Sequence, residues 1–460
     1  MHGLKRRTKI AVTVSAALAG LAVLTYLPSA FLPFISDDYV HIAVARQFAP
    51  VSGWDDLARD PVYRCRATSH FLTYWTEQLF GLDPMAFSGS SILLHVLNTL
   101  LVFALGSWRA VGWRASAVAA GFFAVYEGHQ EAVMWYAALP ELLVFFFSLL
   151  AILFWLAWLR GNQKRAGWYA AALFASILAM LSKESGVIVV ALMALVLAVE
   201  RVPFWRSVRL LAPFGVLGLI YAGTIFGSSK DNFFFGDGTF SPGLSFLRVL
   251  PNSYGRMLWI WGGIALLVAL LWKTGRRKWL LATALAWMAI ALIPYSFLSY
   301  MPRVPSRHTY LASLGLSLVV AKGLLCLYRH FRGSHYRWAV YAVAFLILAH
   351  NLGYLWTKKR AQYEERAAPT EALIEMVSEG KGPVYVHCFP YNEEIARKAV
   401  EVGAGQSPYR VVWRPAPPDA CDSGFSLSWN PNQDVRQDGK RDKREPAAQD
   451  REETELIGSR

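Results

Sequence analysis

Eleven apolar runs recur between the N-terminus and about residue 355, each near the ~20 residues a helix needs to cross the hydrocarbon of a bilayer. Their centres fall near residues 20, 99, 120, 148, 175, 192, 217, 264, 288, 317 and 346, and the third and sixth are short. This patterning leads us to expect an all-α polytopic membrane protein. Composition agrees, because 55% hydrophobic residues, 14% aromatics and only 17% charged residues are too oily for a soluble chain of 460 residues.

Charge then suggests a topology. The formal charge of +14 comes as short Lys and Arg clusters between apolar runs, so nucleic acid is not an expected partner and the clusters read as orientation signals. With "MHGLKRRTK" inside, segments 1–9, 108–114, 160–165, 200–209, 273–278 and 328–337 hold 19 Lys or Arg. The alternate segments 127–140, 182–186, 227–255 and 298–308 hold five. This bias predicts a cytoplasmic N-terminus and a periplasmic or lumenal C-terminus. The first apolar run is about twice the length of a signal-peptide core, which argues for an uncleaved helix.

The domain plan follows. Residues 1–355 form a membrane domain in which 36–90 is a long first outer loop, whose mixture of aromatics and charge suits helices lying in the interface. Residues 356–431 read as helix, strand, helix, strand, a small outer α/β domain, and 432–460 as a disordered charged tail. Of the four cysteines, Cys388 and Cys421 share the outer side, either bonded to each other or as two separate thiols. No C-x-x-C pair, Walker glycine pattern or dinucleotide fingerprint occurs, so sulfur-bound metal and ATP-driven transport have no support.

Chemistry-bearing residues gather at the outer ends of the runs. "FISDDYVHI" places Asp37 and Asp38 in a first helical turn, where the helix dipole favours carboxylates and Ser36 is a natural cap. Adjacent helical residues diverge by roughly a third of a turn, so one carboxylate can face a cavity while the other bonds backbone. "YEGHQEAVMWYAALPE" supplies His129, Glu131 and Glu141, "SKES" supplies Lys183 and Glu184, and "MPRVPSRHTY" supplies Arg303, Arg307 and His308. Each has a plain reading: Lys183 and Glu184 as a neutralising pair, Arg307 reaching headgroups, His95 and Asn98 hydrogen-bonding between helices. Ionisable groups beside membrane segments are costly unless they face water or one another, which favours convergence on one cavity.

Six motifs, in order, resemble those of the GT-C superfamily of polytopic glycosyltransferases. The similarity is greatest to the membrane half of the transmembrane and tetratricopeptide-repeat O-mannosyltransferases and their bacterial relatives. They are the Asp37-Asp38 pair, "YRCR" with "LFGLDP", "LLHVLNTLL", "HQEAVMW", "LSKESG" and "RHTYLASLG", spanning roughly residues 30 to 320. Cys65 replaces a proline of the family pattern, Tyr126-Glu127 replace His-Pro, Leu139 stands where an arginine is usual, and the repeats are missing. The resemblance implies transfer of a sugar from a polyprenyl-phosphate donor to a hydroxyl of a glycan, lipid or protein acceptor. Asp37 would be the general base and Asp38 its orienting partner or a metal ligand. Arg307, then Lys183 and Arg64, would hold the departing phosphate. His129, Glu131, Glu184 and His308 would line the cavity or meet the acceptor. A divalent cation is compatible with this set but not required by it, and the metal ligands stay unassigned. The competing reading is a transporter or flippase of lipid-linked glycans, though the chain lacks the internal symmetry common in transporters.

Overall fold

The computed structural model describes residues 2–47, 64–161, 163–227, 243–272, 278–298, 301–414, 421 and 425–429. The tail expected at 432–460 lies outside these residues, as does part of the first outer loop. In chain order the helices are α1 (His2–Tyr26), α2 (Asp37–Gln47), α3 (Ala67–Phe80), α4 (Pro84–Ala104), α5 (Trp113–Val125), α6 (Gln130–Met134) and α7 (Leu139–Arg160). They continue as α8 (Ala166–Met180), α9 (Val189–Val199), α10 (Phe204–Gly227), α11 (Phe246–Leu258), α12 (Trp261–Leu271), α13 (Lys278–Leu292) and α14 (Ser313–His330). Last come α15 (Arg337–Tyr354), α16 (Arg360–Glu379) and α17 (Glu393–Gly403), with strands β1 (Val384–His387), β2 (Val411–Arg414) and β3 (Ser426–Ser428).

All eleven expected centres fall inside helices, so the protein is a polytopic helical membrane protein. Their lengths differ from the expectation. Six helices are long and apolar enough to span, or seven if α11 and α12, bent by 78° to each other, form one broken span. Helices α5, α8 and α9 are apolar but shorter, because breaks such as Glu127–His129 and Glu184–Ile188 interrupt the runs. The first outer loop also ends earlier than residue 90. Asp83 caps α4 by accepting from the Met85 amide at 3.0 Å, and Pro84 needs no amide partner at the first helical position.

The largest revision concerns the chain after residue 355. The amphipathic segment is not a separate helix: Arg337–Glu379 runs 43 residues without a break, through a π-helical turn at Leu355–Lys359. At 1.5 Å per residue it is about 65 Å long, twice the ~30 Å of hydrocarbon. Its first half, Arg337–Tyr354, has the composition that suits hydrocarbon, and its second, "RAQYEERAAPTEALIEMVSE", the composition that suits water. Trp356 Nε1 donates to the carbonyls of Leu24 and Thr25, both at 3.2 Å, and Asn351 Oδ1 accepts from the Glu127 amide at 2.8 Å. These bonds pin the helix to the ends of α1 and α5.

The chain beyond α16 builds a three-stranded sheet in the order β2-β1-β3. β1 pairs parallel with β2, Val384 opposite Val411, through the crossover helix α17, and antiparallel with β3, Val386 opposite Leu427. Val384, Val386, Val400, Val411 and Leu427 bury a core separate from that of the membrane helices. Asn392 caps α17 by accepting from the Ile395 amide at 2.9 Å. Cys388 and Cys421 are bonded to each other across a separation of 33 residues. Closing a loop of that order stabilises by about 2–4 kcal/mol. Helix α17 lies against both α2 and α16, so the α/β unit covers the end of the bundle where the Asp37-Asp38 pair sits.

Candidate active site

Ser36 is held at φ 40°, a left-handed conformation that costs a serine of order 1–3 kcal/mol. Asp38 stabilises this turn. Its Oδ2 accepts from the Ile35 amide at 2.8 Å while its own amide donates to the Ile35 carbonyl at 3.0 Å. Its Oδ1 accepts from the Ala137 amide at 2.7 Å, tying α2 to the start of α7. Asp38 is buried at 2% exposure with both oxygens engaged, which is a positioning role. Asp37 is different. It is half-buried, and no hydrogen bond or ion pair to its carboxylate occurs among the described residues.

The charges of two cations act on Asp37. Burial pushes its carboxyl up from the ordinary value, and the charges of Arg307 and Arg366 pull it back. Burial raises Asp38 to about 7, against the pull of its two backbone donors. Arg307 comes from the turn Ser306–Thr309, where its amide donates to Glu131 Oε2 at 3.0 Å and its guanidinium lies 3.6 Å from the same oxygen. Burial alone would raise Glu131, but Arg307 holds it below the ordinary carboxylate value. The guanidinium carbons of Arg307 and Arg366 lie 5.1 and 4.8 Å from the centroid of the Trp135 indole, each in cation–π contact. Gln130 links their supports, donating to Ser306 Oγ at 3.0 Å and accepting from the Tyr363 hydroxyl at 2.7 Å.

A second cluster lies in the neighbouring turns. Glu141 is buried at 2% exposure and receives three donors: the Lys183 ammonium, His308 Nδ1 at 2.6 Å and the Tyr295 hydroxyl at 2.6 Å. The Tyr295 hydroxyl is also 2.7 Å from Ser185 Oγ. Burial drives His308 down to about 3, so the imidazole is neutral at physiological pH. Lys183 therefore does not pair with adjacent Glu184, which bonds Arg66 at 2.7 Å instead. Gly186 makes this turn possible, since a Cβ there would stand 2.1 Å from the Ala179 carbonyl oxygen.

The remaining expected residues go elsewhere. His129 is fully buried, with Nε2 2.6 Å from Ser313 Oγ and its ring packed on Phe123 and Tyr310, the environment of a structural histidine rather than a cavity wall. Arg64 is buried at 8% exposure, Nη2 3.4 Å from the Thr224 carbonyl of α10. His95 Nδ1 is 2.8 Å from the Tyr310 hydroxyl, and Asn98 donates to the Leu142 carbonyl at 3.0 Å, both between separate elements of the bundle. Among the described residues no three His, Cys, Asp or Glu side chains are grouped to hold a metal ion. Arg366 escaped sequence reading because it lies in a polar, charge-alternating stretch; only Tyr363 and Arg366, one turn apart, hinted at an inward-facing stripe.

No known sequence family matches the chain, and no curated protein does. Solved structures do. ArnT from Cupriavidus metallidurans bound to undecaprenyl phosphate superposes with a TM-score of 0.55 at 16% identity, over 87% of this chain and 89% of that one. Its apo state gives 0.54 at 17% identity, over 85% and 84%. The chain shares the fold of ArnT. The archaeal oligosaccharyltransferase AglB from Archaeoglobus fulgidus, in complex with an inhibitory peptide and a dolichol-phosphate, gives 0.50 at 16% identity. That match covers 82% of this chain and 58% of AglB. The likeness to ArnT extends past the membrane helices into the chain after residue 355, since 87% coverage cannot be reached within residues 1–355 alone.

Proposed function

We propose that the protein is a glycosyltransferase that moves a sugar from a polyprenyl-phosphate carrier to an acceptor hydroxyl on the outer face of the membrane. The observation that carries this reading is Asp37, a half-buried carboxylate without a hydrogen-bond partner among the described residues, under the charge of Arg307 in the fold of ArnT. A polyprenyl phosphate is a good leaving group, so one base suffices: Asp37 takes the acceptor's proton as its oxygen attacks the anomeric carbon. The phosphate oxygen departs with the electrons of the broken bond, and Arg307 offers it a planar pair of donors. Asp38 holds Asp37 in register through the two amides it accepts. Lys183, neutralised by Glu141, serves this site by fixing the turn that presents His308 and Arg307 rather than by touching phosphate. The fold of ArnT, solved with undecaprenyl phosphate, supports the class of donor.

Incubating the purified protein with a polyprenyl-phosphate sugar and a mixed glycolipid acceptor pool tests this directly. A new glycosidic bond and free polyprenyl phosphate, detected by mass spectrometry, are expected in equal amounts. Movement of intact lipid-linked glycan across vesicles with no new bond would instead establish the transporter reading. The pH profile carries a second expectation. A base works only when ionised, and burial raises both aspartates, Asp38 to about 7. The acid limb of kcat/KM is therefore expected above the ordinary carboxylate value of 3.8, with activity lost as pH falls through it. A rate flat from pH 8 to pH 4 would exclude a carboxylate base.

A further inference from the structure

Arg366 is the cation from outside the membrane bundle whose charge acts on Asp37, alongside the acid Glu394 of α17, and its surroundings are unusual for an arginine. It is half-buried, and among the described residues no carboxylate lies within ion-pair distance of its guanidinium. It stacks on Trp135, at 4.8 Å, and on Tyr363, at 5.3 Å. Arg307 shares the Trp135 indole, and Glu131, whose charge also acts on Arg366, is already bonded by Arg307 through both its amide and its guanidinium. Two guanidinium groups on one ring repel each other, and removing them partly from water increases that cost. An anion placed between them removes it. Stacking on rings also leaves the edges of both guanidinium planes, where the N–H donors lie, pointing away from the aromatic faces.

Building on the donor reading above, we propose that Arg366 is a second phosphate-binding group, closing with Arg307 on the phosphate of the lipid carrier. The α/β unit then has a part in donor binding. Arg366 rides on the polar half of the long last helix. The Tyr391 hydroxyl, from the loop between β1 and α17, donates to its backbone carbonyl at 2.5 Å. The same unit presses on α2 at Gly403, where an added Cβ would stand 2.5 Å from the tip of the Ile374 side chain of α16 and 3.2 Å from the Tyr39 ring. Docking of α17 against α2 and α16 therefore sets the separation between Arg366 and Asp37. The extramembrane unit contributes a charge to the site as well as covering it.

The test measures binding of undecaprenyl phosphate, and of undecaprenol as the phosphate-free control, to the full-length protein in nanodiscs. Arg366→Ala is expected to weaken undecaprenyl phosphate roughly 10- to 100-fold, the range for a charge-assisted hydrogen bond, and to leave undecaprenol unchanged. Arg366→Lys, which keeps the charge without the planar fork, is expected to recover part of the loss and to melt as the wild type does. Equal weakening of phosphate and alcohol would overturn the proposal and make Arg366 a packing residue. Wild-type phosphate binding by Arg366→Ala, with Arg307→Ala weakened, would overturn the role of Arg366 and leave the donor reading standing. Wild-type phosphate binding by both variants would overturn the donor reading itself.

Discussion

Asp37→Asn is expected to lower kcat by about 10²–10⁴-fold, the usual contribution of a positioned general base, while undecaprenyl phosphate binding stays within a few-fold of wild type. The substitution keeps the size and the planar shape of the side chain and removes only its ability to take a proton. Since no hydrogen bond to the Asp37 carboxylate occurs among the described residues, unfolding should shift by no more than about 0.5 kcal/mol. Steady-state kinetics with a defined donor, beside a thermal melt of the same preparation, separates the two quantities. A variant as fast as wild type would remove Asp37 from the mechanism. Asp38→Asn makes an informative contrast: an amide replaces one of two accepting oxygens, so either the Ile35 or the Ala137 amide loses its acceptor and the left-handed turn at Ser36 loses support. Its damage should therefore appear in stability as well as in rate.

Glu141→Ala is expected to cause the largest loss of stability of any single change at the site, about 3–5 kcal/mol. Three donors converge on this carboxylate from three separate elements, and the Lys183 ammonium would be left in a largely buried place without its counter-charge. Glu141→Gln keeps acceptor capacity for one or two of the donors and should lie between Ala and wild type. Chemical or thermal unfolding in detergent reads the difference. Melts of Glu141→Ala that coincide with wild type would mean that the cluster relaxes or hydrates, and the turn bearing Arg307 would then need another support.

Much of the architecture was legible before any coordinates because it rests on local rules. Apolar length placed all eleven helical centres, and the order helix, strand, helix, strand after residue 355 matches α16, β1, α17 and β2, to which the fold adds β3. The Asp37-Asp38 pair stood out for the same reason: carboxylates beside a membrane segment are expensive, and their cost is visible in the chain itself. His95 and Asn98 sit among the inter-helix hydrogen bonds that polar residues in apolar runs are bound to make. The site was legible only in part. Arg307 pairs with Glu131 and its charge acts on Asp37, whereas His129 turns into an aromatic core and Arg64 toward a spanning helix. Arg366 could not be picked out, because in a charged stretch an arginine that faces solvent and one that faces a site read alike.

What the sequence by itself determined is therefore the solvent each segment requires: which runs must lie in hydrocarbon, which turns must lie at its edge, and which charges need company. That information is local, since transfer free energy depends on the residue and its immediate neighbours. Which company each charge keeps was decided by tertiary structure alone. Lys183 passes over adjacent Glu184 for Glu141, forty-two positions earlier in the chain, because side-chain direction at the turn and not sequence distance sets the pair. Continuity of the last helix through its π turn, the bond between Cys388 and Cys421 and the sharing of Trp135 by two arginines have the same origin. Each depends on where separate segments meet in space, and apolar periodicity fixes a segment's depth but not its neighbour.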